Sequence, residues 1–450
     1  MIGGFFDATK IPELRRRVLF AVLMLVIYRI GVFIPTPGID AHTFANIFRD
    51  RAGSIFGMVN MFSGGALENF SIFALGIMPY ISVSIIMQLL QHTVKPLEEL
   101  SKEGQQGKKK ISKYTRICTV FLALFQGYVI SAGLETQGVV ATPGFAFRIC
   151  TAITLCTGTM FVMWLGEQIT ERGIGNGISL IIMSGIVARM PNSINATLGQ
   201  LSTGEGGMGP LNVLTIFAFG IITIAFVVFM ERALREIPVK YPSRAVGRGQ
   251  MSKAFTQHLP LKLNSAGVLP AIFASAFIGL PLMFLQFGNF QALEGFISQM
   301  HHGTLVYEVI FASLVIFFCF FYTALVFDPD KLADNLKSNG GFVPTVRPGR
   351  DTATYIGGVI TRLTVWGALY MCIVCIIPQL VYRELHAVHF TYFFGGTAVL
   401  ISVGVVLDTI SQIEPYLVSR NYESLMKKGA GKMRGIGQAM PHMKGKLIQR

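Results

Sequence analysis

The side chains that carry most metal and redox chemistry form no recognisable site in this sequence. All six cysteines lie within apolar runs, which is typical of small core residues and not of a secreted disulfide framework. Cys372 and Cys375 have CxxC spacing, but inside an apolar helix that spacing does not indicate a metal or redox centre. The eight histidines are scattered, and no HExxH or Cys/His ligand set accompanies the His301-His302 pair. We therefore expect no metal site.

Two glycine-rich stretches are too incomplete to predict nucleotide binding. Residues 104–108 (GQQGK) lack the first glycine of the phosphate-binding motif GxxxxGK, because Lys102 stands in its place. Residues 173–177 (GIGNG) form a tight link between two apolar runs, with no strand before them. The sequence nominates no hydrolytic triad. It therefore predicts a protein that is not an enzyme and holds no cofactor.

Composition indicates an all-α protein that crosses a membrane many times. Of its 450 residues, 52% are hydrophobic and 14% are charged, and the mean hydropathy is +0.55. A helix needs about 20 residues to cross the hydrocarbon layer. The fifth apolar run is short and ends near Pro191, so it either bends into an outer loop or continues irregularly. The predicted crossings are ten, at 18–34, 70–91, 115–134, 149–167, 178–190, 212–230, 265–285, 306–327, 363–380 and 391–411.

The lysines and arginines predict the orientation of these crossings. An even number of crossings places both termini on one side, and the segments on that side hold 32 of the 38 lysines and arginines. Such an asymmetry marks the cytoplasmic face. Residues 1–17 are polar and lack the pattern of a cleavable signal. We therefore expect both termini to be cytoplasmic.

The stretch 55–91 contains two apolar pieces of different length. Residues 55–62 are too few to cross the membrane and are followed by Ser63-Gly64-Gly65, whereas residues 69–90 are long enough to cross. A short re-entrant piece is tolerated at membrane depth only where protein or a water-filled cavity surrounds it. The stretch therefore predicts a cavity within the protein.

Three cytoplasmic segments, 91–114, 231–262 and 328–362, are longer than simple connections require. Basic residues in such segments are explained by orientation and by contact with anionic lipids, but their length is not. The third contains GFVPTVRPG (341–349), whose prolines and glycines predict an ordered turn. Ordered protruding loops usually bind something, and here the partner should be acidic or polyanionic, such as ribosomal RNA or an acidic motor surface.

Secondary transport of a small solute is one function that this architecture could serve, because ten crossings also fit two inverted sets of five. Ion-coupled transporters usually keep ionisable residues near the middle of the bilayer. Here Arg29 lies near the outer end of the first crossing, while Glu167 and Asp408 lie near cytoplasmic ends. The crossings otherwise offer aliphatic side chains, glycine, proline and isolated amides such as Gln88 and Asn264. This composition favours a pathway that does not bind its cargo specifically.

Eight segments of the chain carry a resemblance to a known family: FIPTPGID (33–40), NMFSGGAL (60–67), ALGIMPYIS (74–82), GTMFVMWLGEQITERGIGNGIS (158–179), HLPLKLNSAGVLPAIFAS (258–275), FFCFFYTALVF (317–327), ADNLKSNGGFVPTVRPG (333–349) and FFGGTAVLI (393–401). They resemble, in the same order, segments of the SecY family, the channel subunits of the bacterial Sec translocon, and the resemblance covers nearly the whole chain. Residues 244–253 match the family's basic loop tip less closely, and residues 432–450 extend past the family's usual end.

The resemblance implies ten transmembrane helices in two inverted five-helix halves around an hourglass pore that conducts unfolded polypeptides. Aliphatic residues would form the constriction, and the re-entrant piece would be a plug. The implied pore ring is Ile77, Ile81, Ile178, Ile182, Ile272 and Ile401. The implied plug residues are Ile55, Met58, Asn60, Met61, Phe62, Ser63, Gly64 and Gly65. The spacing of four within Ile77/Ile81 and Ile178/Ile182 places each pair on one helix face, although such pairs are common in membrane helices.

The resemblance also implies a lateral gate between the second and seventh crossings, through which signal sequences and membrane helices pass into lipid. Gln88 and Asn264 would be its polar pair, and an amide contact between them would hold it closed. The alternative is that each amide bonds within its own helix bundle. The implied loop residues that contact partners are Arg248, Arg347, Lys108 and Lys109.

The implied partners are the small membrane subunits SecE and SecG, the ATPase SecA, the ribosome, signal sequences and precursor or nascent polypeptides, and bilayer lipids including anionic ones. The energy would come from SecA, the ribosome or the proton-motive force. The implied location is the bacterial inner membrane. We divide the chain into an N-terminal half (1–190, with the plug at about 55–67), an outer loop and sixth crossing (191–230), a cytoplasmic loop (231–262), crossings seven to ten with their loop 328–362 (263–411), and a basic tail (412–450).

Overall fold

A computed structural model describes the chain at residues 12–39, 44, 60, 63–136, 138–140, 142–203, 210–242, 255–287, 304–384 and 396–416. Within these ranges it is a helical membrane protein with one β-hairpin. Its elements are α1 (Pro12–Gly31), α2 (Met78–Thr93), α3 (Lys95–Lys102), α4 (Gln105–Thr136), α5 (Phe145–Arg172), α6 (Gly177–Thr203), α7 (Pro210–Glu231), β1 (Leu234–Tyr241), β2 (Phe255–Lys262), α8 (Leu269–Phe287), α9 (Leu305–Val326), α10 (Pro329–Ser338), α11 (Arg350–Glu384) and α12 (Gly396–Tyr416).

The predicted helical membrane fold is confirmed. Seven of the helices, α4 to α7, α9, α11 and α12, have segments long and apolar enough to cross a membrane. The three other predicted crossings correspond to α1, which carries several arginines, to the 16-residue α2, and to α8, whose apolar part Leu269–Gly279 is shorter. Large apolar side chains remain exposed along the outside of the bundle, as lipid contact requires; Leu211, Phe229 and Phe121 are about 70% exposed.

The second crossing differs from the prediction of a continuous run over 70–91. Residues 63–77 form turns, and helix α2 begins only at Met78. Gly76 has a φ of +55°, which interrupts a right-handed helix, and Pro79 lies in the first turn of α2, where its missing N–H does no harm. Helix α2 alone spans about 24 Å. The turns before it are therefore non-helical backbone inside the protein.

The fifth crossing neither bends into a loop nor continues irregularly after residue 190, the two alternatives that the sequence left open. Helix α6 continues through Pro191 and ends at Thr203. Proline removes one backbone hydrogen bond, and membrane helices tolerate this where neighbours compensate.

The segments predicted to be cytoplasmic have more structure than the sequence predicted. Residues 231–262 contain the antiparallel hairpin β1–β2, paired from Leu234 opposite Lys262 to Tyr241 opposite Phe255. Lys240 and Phe342 form a further bridge, in which each backbone N–H donates to the other's carbonyl (2.9 and 3.0 Å). The hairpin and the loop after α10 are therefore joined directly.

An apolar cluster joins the hairpin, the loop after α10 and the start of α11. Asp328 caps the N-terminus of α10 by accepting from the Lys331 N–H, and Pro329 starts the helix. We call the joined unit of β1, β2, α10, residues 339–349 and the first four turns of α11 the cytoplasmic platform, after the side of the membrane that the sequence predicts for it. Its buried apolar residues are Ile237, Leu261, Val343, Ile356, Val359, Ile360 and Leu363.

Helix α8 packs against α2 and α4, and so forms a seam between the two halves of the chain. At this seam a Cβ on Gly279 would lie 3.8 Å from the terminal methyl carbon of Met78. One continuous apolar core runs from the N-terminal half across the seam into α9, α11 and α12.

Candidate functional site

The six predicted ring isoleucines lie in the same apolar core. Ile77 precedes α2 and Ile81 follows within its first turn, Ile178 and Ile182 occupy the first two turns of α6, Ile272 begins α8, and Ile401 lies in α12. Five are buried, and Ile178 is half-buried and packed against the same core. Four different helices therefore contribute to this set.

The branched aliphatic side chains of this set are stiff and have no hydrogen-bonding groups. Their stiffness limits rearrangement, and they offer no hydrogen bond to water, ions or a polypeptide. A narrow opening lined in this way excludes water and ions by dewetting. It can still let an extended chain slide, because nothing in it binds a particular side chain.

The re-entrant segment is described at Asn60 and from Ser63 onward. The predicted plug residues Ile55, Met58, Met61 and Phe62 lie outside the described residues. Asn60, Ser63, Gly64 and Gly65 are buried in a compact turn, which we call the plug turn (Asn60 and 63–70). The Ser63 hydroxyl donates to the Asn60 carbonyl (3.2 Å) and accepts from the Leu67 N–H (3.3 Å). These bonds satisfy backbone groups that no helix satisfies.

The first and fifth crossings hold the plug turn closely. The Tyr28 hydroxyl donates to the Ser63 carbonyl (3.0 Å), and Arg29 Nη1 donates to the Gly64 carbonyl (2.8 Å). A Cβ on Gly64 would lie 2.6 Å from the Cα of Gly185 in α6, so only glycine fits there. The described turn is thus embedded in protein, and the predicted cavity around residues 55–62 stays a prediction, because, of these residues, only Asn60 is described.

The predicted amide contact between Gln88 and Asn264 is not made in this structure, and the expectation of a closed pair is wrong for this conformation. Gln88 Nε2 donates to Ser84 Oγ within α2 (3.4 Å). Asn264 Nδ2 donates to Glu231 Oε1 (2.7 Å) and to the Gly267 carbonyl (3.0 Å). Each amide therefore bonds within its own half, because a carboxylate at the end of α7 is a stronger acceptor for Asn264 than a distant amide.

Sequence reasoning missed two polar residues in the described part of the chain. Glu231 at the C-terminal end of α7 was interpreted only as the start of a loop, although an acidic residue ending an apolar run is a visible signal. Gln126 in α4 is buried, and its Oε1 has no hydrogen-bond partner. An amide in the middle of an apolar run was the available signal.

Three of the four predicted partner-contacting residues lie within the described part of the chain. Arg347 is exposed in the platform, where its carbonyl accepts from the Thr352 hydroxyl (2.8 Å) and Thr345 has a φ of +74°. Lys108 and Lys109 are exposed on the first turns of α4. Arg248 lies outside the described residues. The structure therefore gives Arg347 a fixed backbone, whereas Lys108 and Lys109 lie on a regular helix surface.

Metal ions in proteins are held by clusters of histidine, cysteine or acidic side chains. No group of three or more such side chains is arranged to hold a metal ion in the described part of the chain. Cys372 and Cys375 are free thiols within α11, and Cys375 is fully buried.

A family model and two relatives of known name match this chain over most of its length. The SecY family model matches residues 71–410. The protein translocase subunit SecY of Escherichia coli K12 is 48% identical over 97% of this chain and 99% of its own length. The subunit of the same name from Pseudomonas aeruginosa PAO1 is 47% identical over 96% of each chain.

Solved structures share the fold at much lower sequence identity. A protein-conducting channel covers 92% of this chain and 97% of its own, with a TM-score of 0.65 and 18% identity. A SecY structure concerned with the plug domain and the membrane seal has the same coverage, a TM-score of 0.62 and 19% identity. Sec61 from a canine ribosome-channel complex, also with the same coverage, has a TM-score of 0.62 and 17% identity.

Proposed function

Because this chain belongs to the SecY family of protein-translocase channel subunits, we propose that an unfolded polypeptide passes between its two halves through the isoleucine ring. The chain is a channel subunit and not an enzyme. The observation that carries the proposed route is the burial of isoleucines from four helices in one core directly beside a re-entrant turn. Such a ring can exclude water and ions when it is closed and can widen to admit a peptide.

The plug turn would close the channel from the outer side. It lies against the last turn of α1, at Arg29, and against α6 at Gly185. Its buried backbone is satisfied within the turn and by those helices, so it can rest in the protein without a lipid-exposed polar group. We assign Ile55, Met58, Met61 and Phe62 to the same plug from the family resemblance alone.

The seam of α8 with α2 and α4 would be the lateral gate for signal sequences and membrane helices. Its packing is apolar and, at Gly279 and Met78, not tightly interlocked. Gln88 and Asn264 remain our candidates for its polar residues. Since Asn264 is held by Glu231 in this conformation, any contact between the two amides would require Asn264 to leave that carboxylate.

The cytoplasmic platform would receive the partner that supplies energy. We propose that Arg347 contacts an acidic surface of SecA or a phosphate group of the ribosome, because a guanidinium on an ordered turn can bind either one bidentately. Arg248, Lys108 and Lys109 would add general positive charge. SecE and SecG would hold the two halves together within the membrane.

We place the protein in the bacterial inner membrane with both termini cytoplasmic. The distribution of lysine and arginine supports this orientation. The division into an N-terminal half, a hairpin loop, a C-terminal half and a basic tail follows from the same topology. Anionic lipids would contact the basic segments at the cytoplasmic surface.

Reconstitution tests this function directly. The chain is co-purified with SecE and SecG, placed in proteoliposomes, and supplied with SecA, ATP and a signal-bearing precursor. We expect the precursor to become protected from added protease, and a precursor without its signal to stay accessible. Uptake of a small solute in the absence of precursor, with no protection of the precursor, would instead favour the secondary transporter.

A further inference from the structure

An ion pair joins the plug turn to the fifth crossing. Glu68 of the turn and Arg189 of α6 form a direct salt bridge, although 121 positions separate them in the sequence. We infer that this pair is an electrostatic latch that holds the plug turn in its closed seat. The inference rests on the proposed role of the plug turn and adds a mechanism for its retention.

The Glu68 carboxylate connects the latch to both ends of the described turn. Its Oε2 accepts from Asn60 Nδ2 (3.2 Å), and its backbone N–H donates to Asn60 Oδ1 (3.1 Å). The same oxygen accepts from Arg189. A displacement of the turn that separates Glu68 from Arg189 therefore moves Asn60 with it, and the turn can be released as one unit.

A second arginine contributes to the same seat. Arg29 donates to the Gly64 carbonyl, lies over the Phe33 ring at 5.6 Å, and interacts electrostatically with Arg189. Like charges repel, so without the Glu68 carboxylate Arg189 keeps an unfavourable interaction with Arg29, whereas loss of Arg189 removes that repulsion. The loss of Glu68 should therefore weaken the seat more than the loss of Arg189 does.

The exposure of the pair is suited to a contact that must break repeatedly. The side chains of Arg189 and Glu68 are 31% and 26% exposed. A fully buried pair would lose several kilocalories per mole when broken, because its charges would stay dehydrated, whereas a fully exposed pair would contribute little. Partial exposure lets water reach both charges as the turn leaves. The latch therefore adds to closure without preventing opening.

Charge reversal tests the latch in the complete complex. Resting conductance is measured in planar bilayers for Glu68→Arg, for Arg189→Glu and for the double reversal. We expect each single reversal to raise the resting open fraction about tenfold and the double reversal to return it to within about twofold of the native level. Glu68→Gln, a smaller change, should give a smaller increase in the same direction.

The matched control is the ion pair of Glu135 and Arg148 (2.5 Å), which lies at the outer ends of α4 and α5 and makes no bond to the plug turn. Glu135→Arg should leave resting conductance unchanged. Equal leak from this control, or a double reversal that assembles but leaks as much as the single ones, would refute the latch.

A polar ring variant separates the latch from the proposed function. If Ile182→Asn leaks while every Glu68 and Arg189 variant stays sealed, the latch is wrong and the channel assignment stands. If neither the ring variant nor the latch variants change the resting conductance, and the native complex fails to translocate precursor, the proposed function itself is wrong.

Discussion

Shortening Ile356 to alanine should loosen the cytoplasmic platform without disturbing the membrane core. Ile356 lies in the first two turns of α11 and is fully buried against the hairpin and the 339–349 loop. The Lys240–Phe342 bridge adjoins this apolar cluster along the chain, because Val343, which follows Phe342, belongs to the cluster. Removing the side chain should therefore make the bridge open more often.

The size of the effect follows from the burial. Replacing a buried isoleucine by alanine costs about 2 to 5 kcal/mol. We take about 2 to 3 kcal/mol, because the cluster is small and close to water. Each 1.4 kcal/mol is a factor of ten in an equilibrium, so the open fraction of the bridge should rise roughly 30- to 150-fold.

Hydrogen exchange measures this opening at the two amides that form the bridge, those of Lys240 and Phe342. We expect both to exchange faster by that factor in Ile356→Ala. Tyr355→Ala is the matched control, because Tyr355 is adjacent in α11 but 40% exposed. Unchanged exchange in Ile356→Ala, or an equal acceleration in both variants, would refute the docking of the two segments through this cluster.

Three further predictions concern the pore, the seam and the platform. Ile77→Asn should wet the constriction and raise resting conductance in planar bilayers, and a native resting level would contradict the ring. Asn264→Leu should leave the Glu231 carboxylate without its 2.7 Å donor and so lower the free energy of unfolding by about 1 to 3 kcal/mol. It should also change how hydrophobic a signal sequence must be for export. An unchanged melting temperature and an unchanged hydrophobicity threshold would contradict this prediction. Arg347→Glu should strongly reduce SecA-driven translocation while leaving membrane insertion intact, whereas Lys108→Glu should have a much smaller effect; equal mild losses would mean that the loops supply only bulk charge.

Hydropathy and charge were sufficient to predict the helical membrane fold, because a crossing must be apolar over most of its length. They placed the start of the second crossing too early. Residues 70–77 are as apolar as a helix, but they are buried turns, interrupted at Gly76. An apolar run reports burial in lipid or protein and does not by itself report helix.

The hairpin and its partner were not predictable from local pattern. Pro238 and Pro260 interrupt the alternation of β1 and β2, and Phe342 pairs with Lys240 across about a hundred residues. The ion pair of Glu68 and Arg189 was not predicted for the same reason, because the two residues are far apart in the sequence. Periodicity describes one element at a time, whereas these contacts arise only when the helices are packed.

The ring isoleucines were identified from family resemblance, since isoleucines four residues apart occur in any membrane helix. The structure adds their burial in one core. Family resemblance was less reliable for the proposed polar gate residues. The hydrogen bond that Asn264 makes depends on Glu231, a residue of another crossing.

Crosslinking to a stalled precursor tests the central claim most directly. A photoreactive residue replaces Ile182 in one preparation and Trp366, which is 62% exposed on the outside of α11, in another. Translocation is started with SecA and ATP and halted by a folded domain at the end of the precursor. A pore between the two halves predicts strong crosslinks to the precursor from position 182 and none from position 366. A precursor that is protected from protease yet crosslinks equally at both positions, or only at 366, would contradict it.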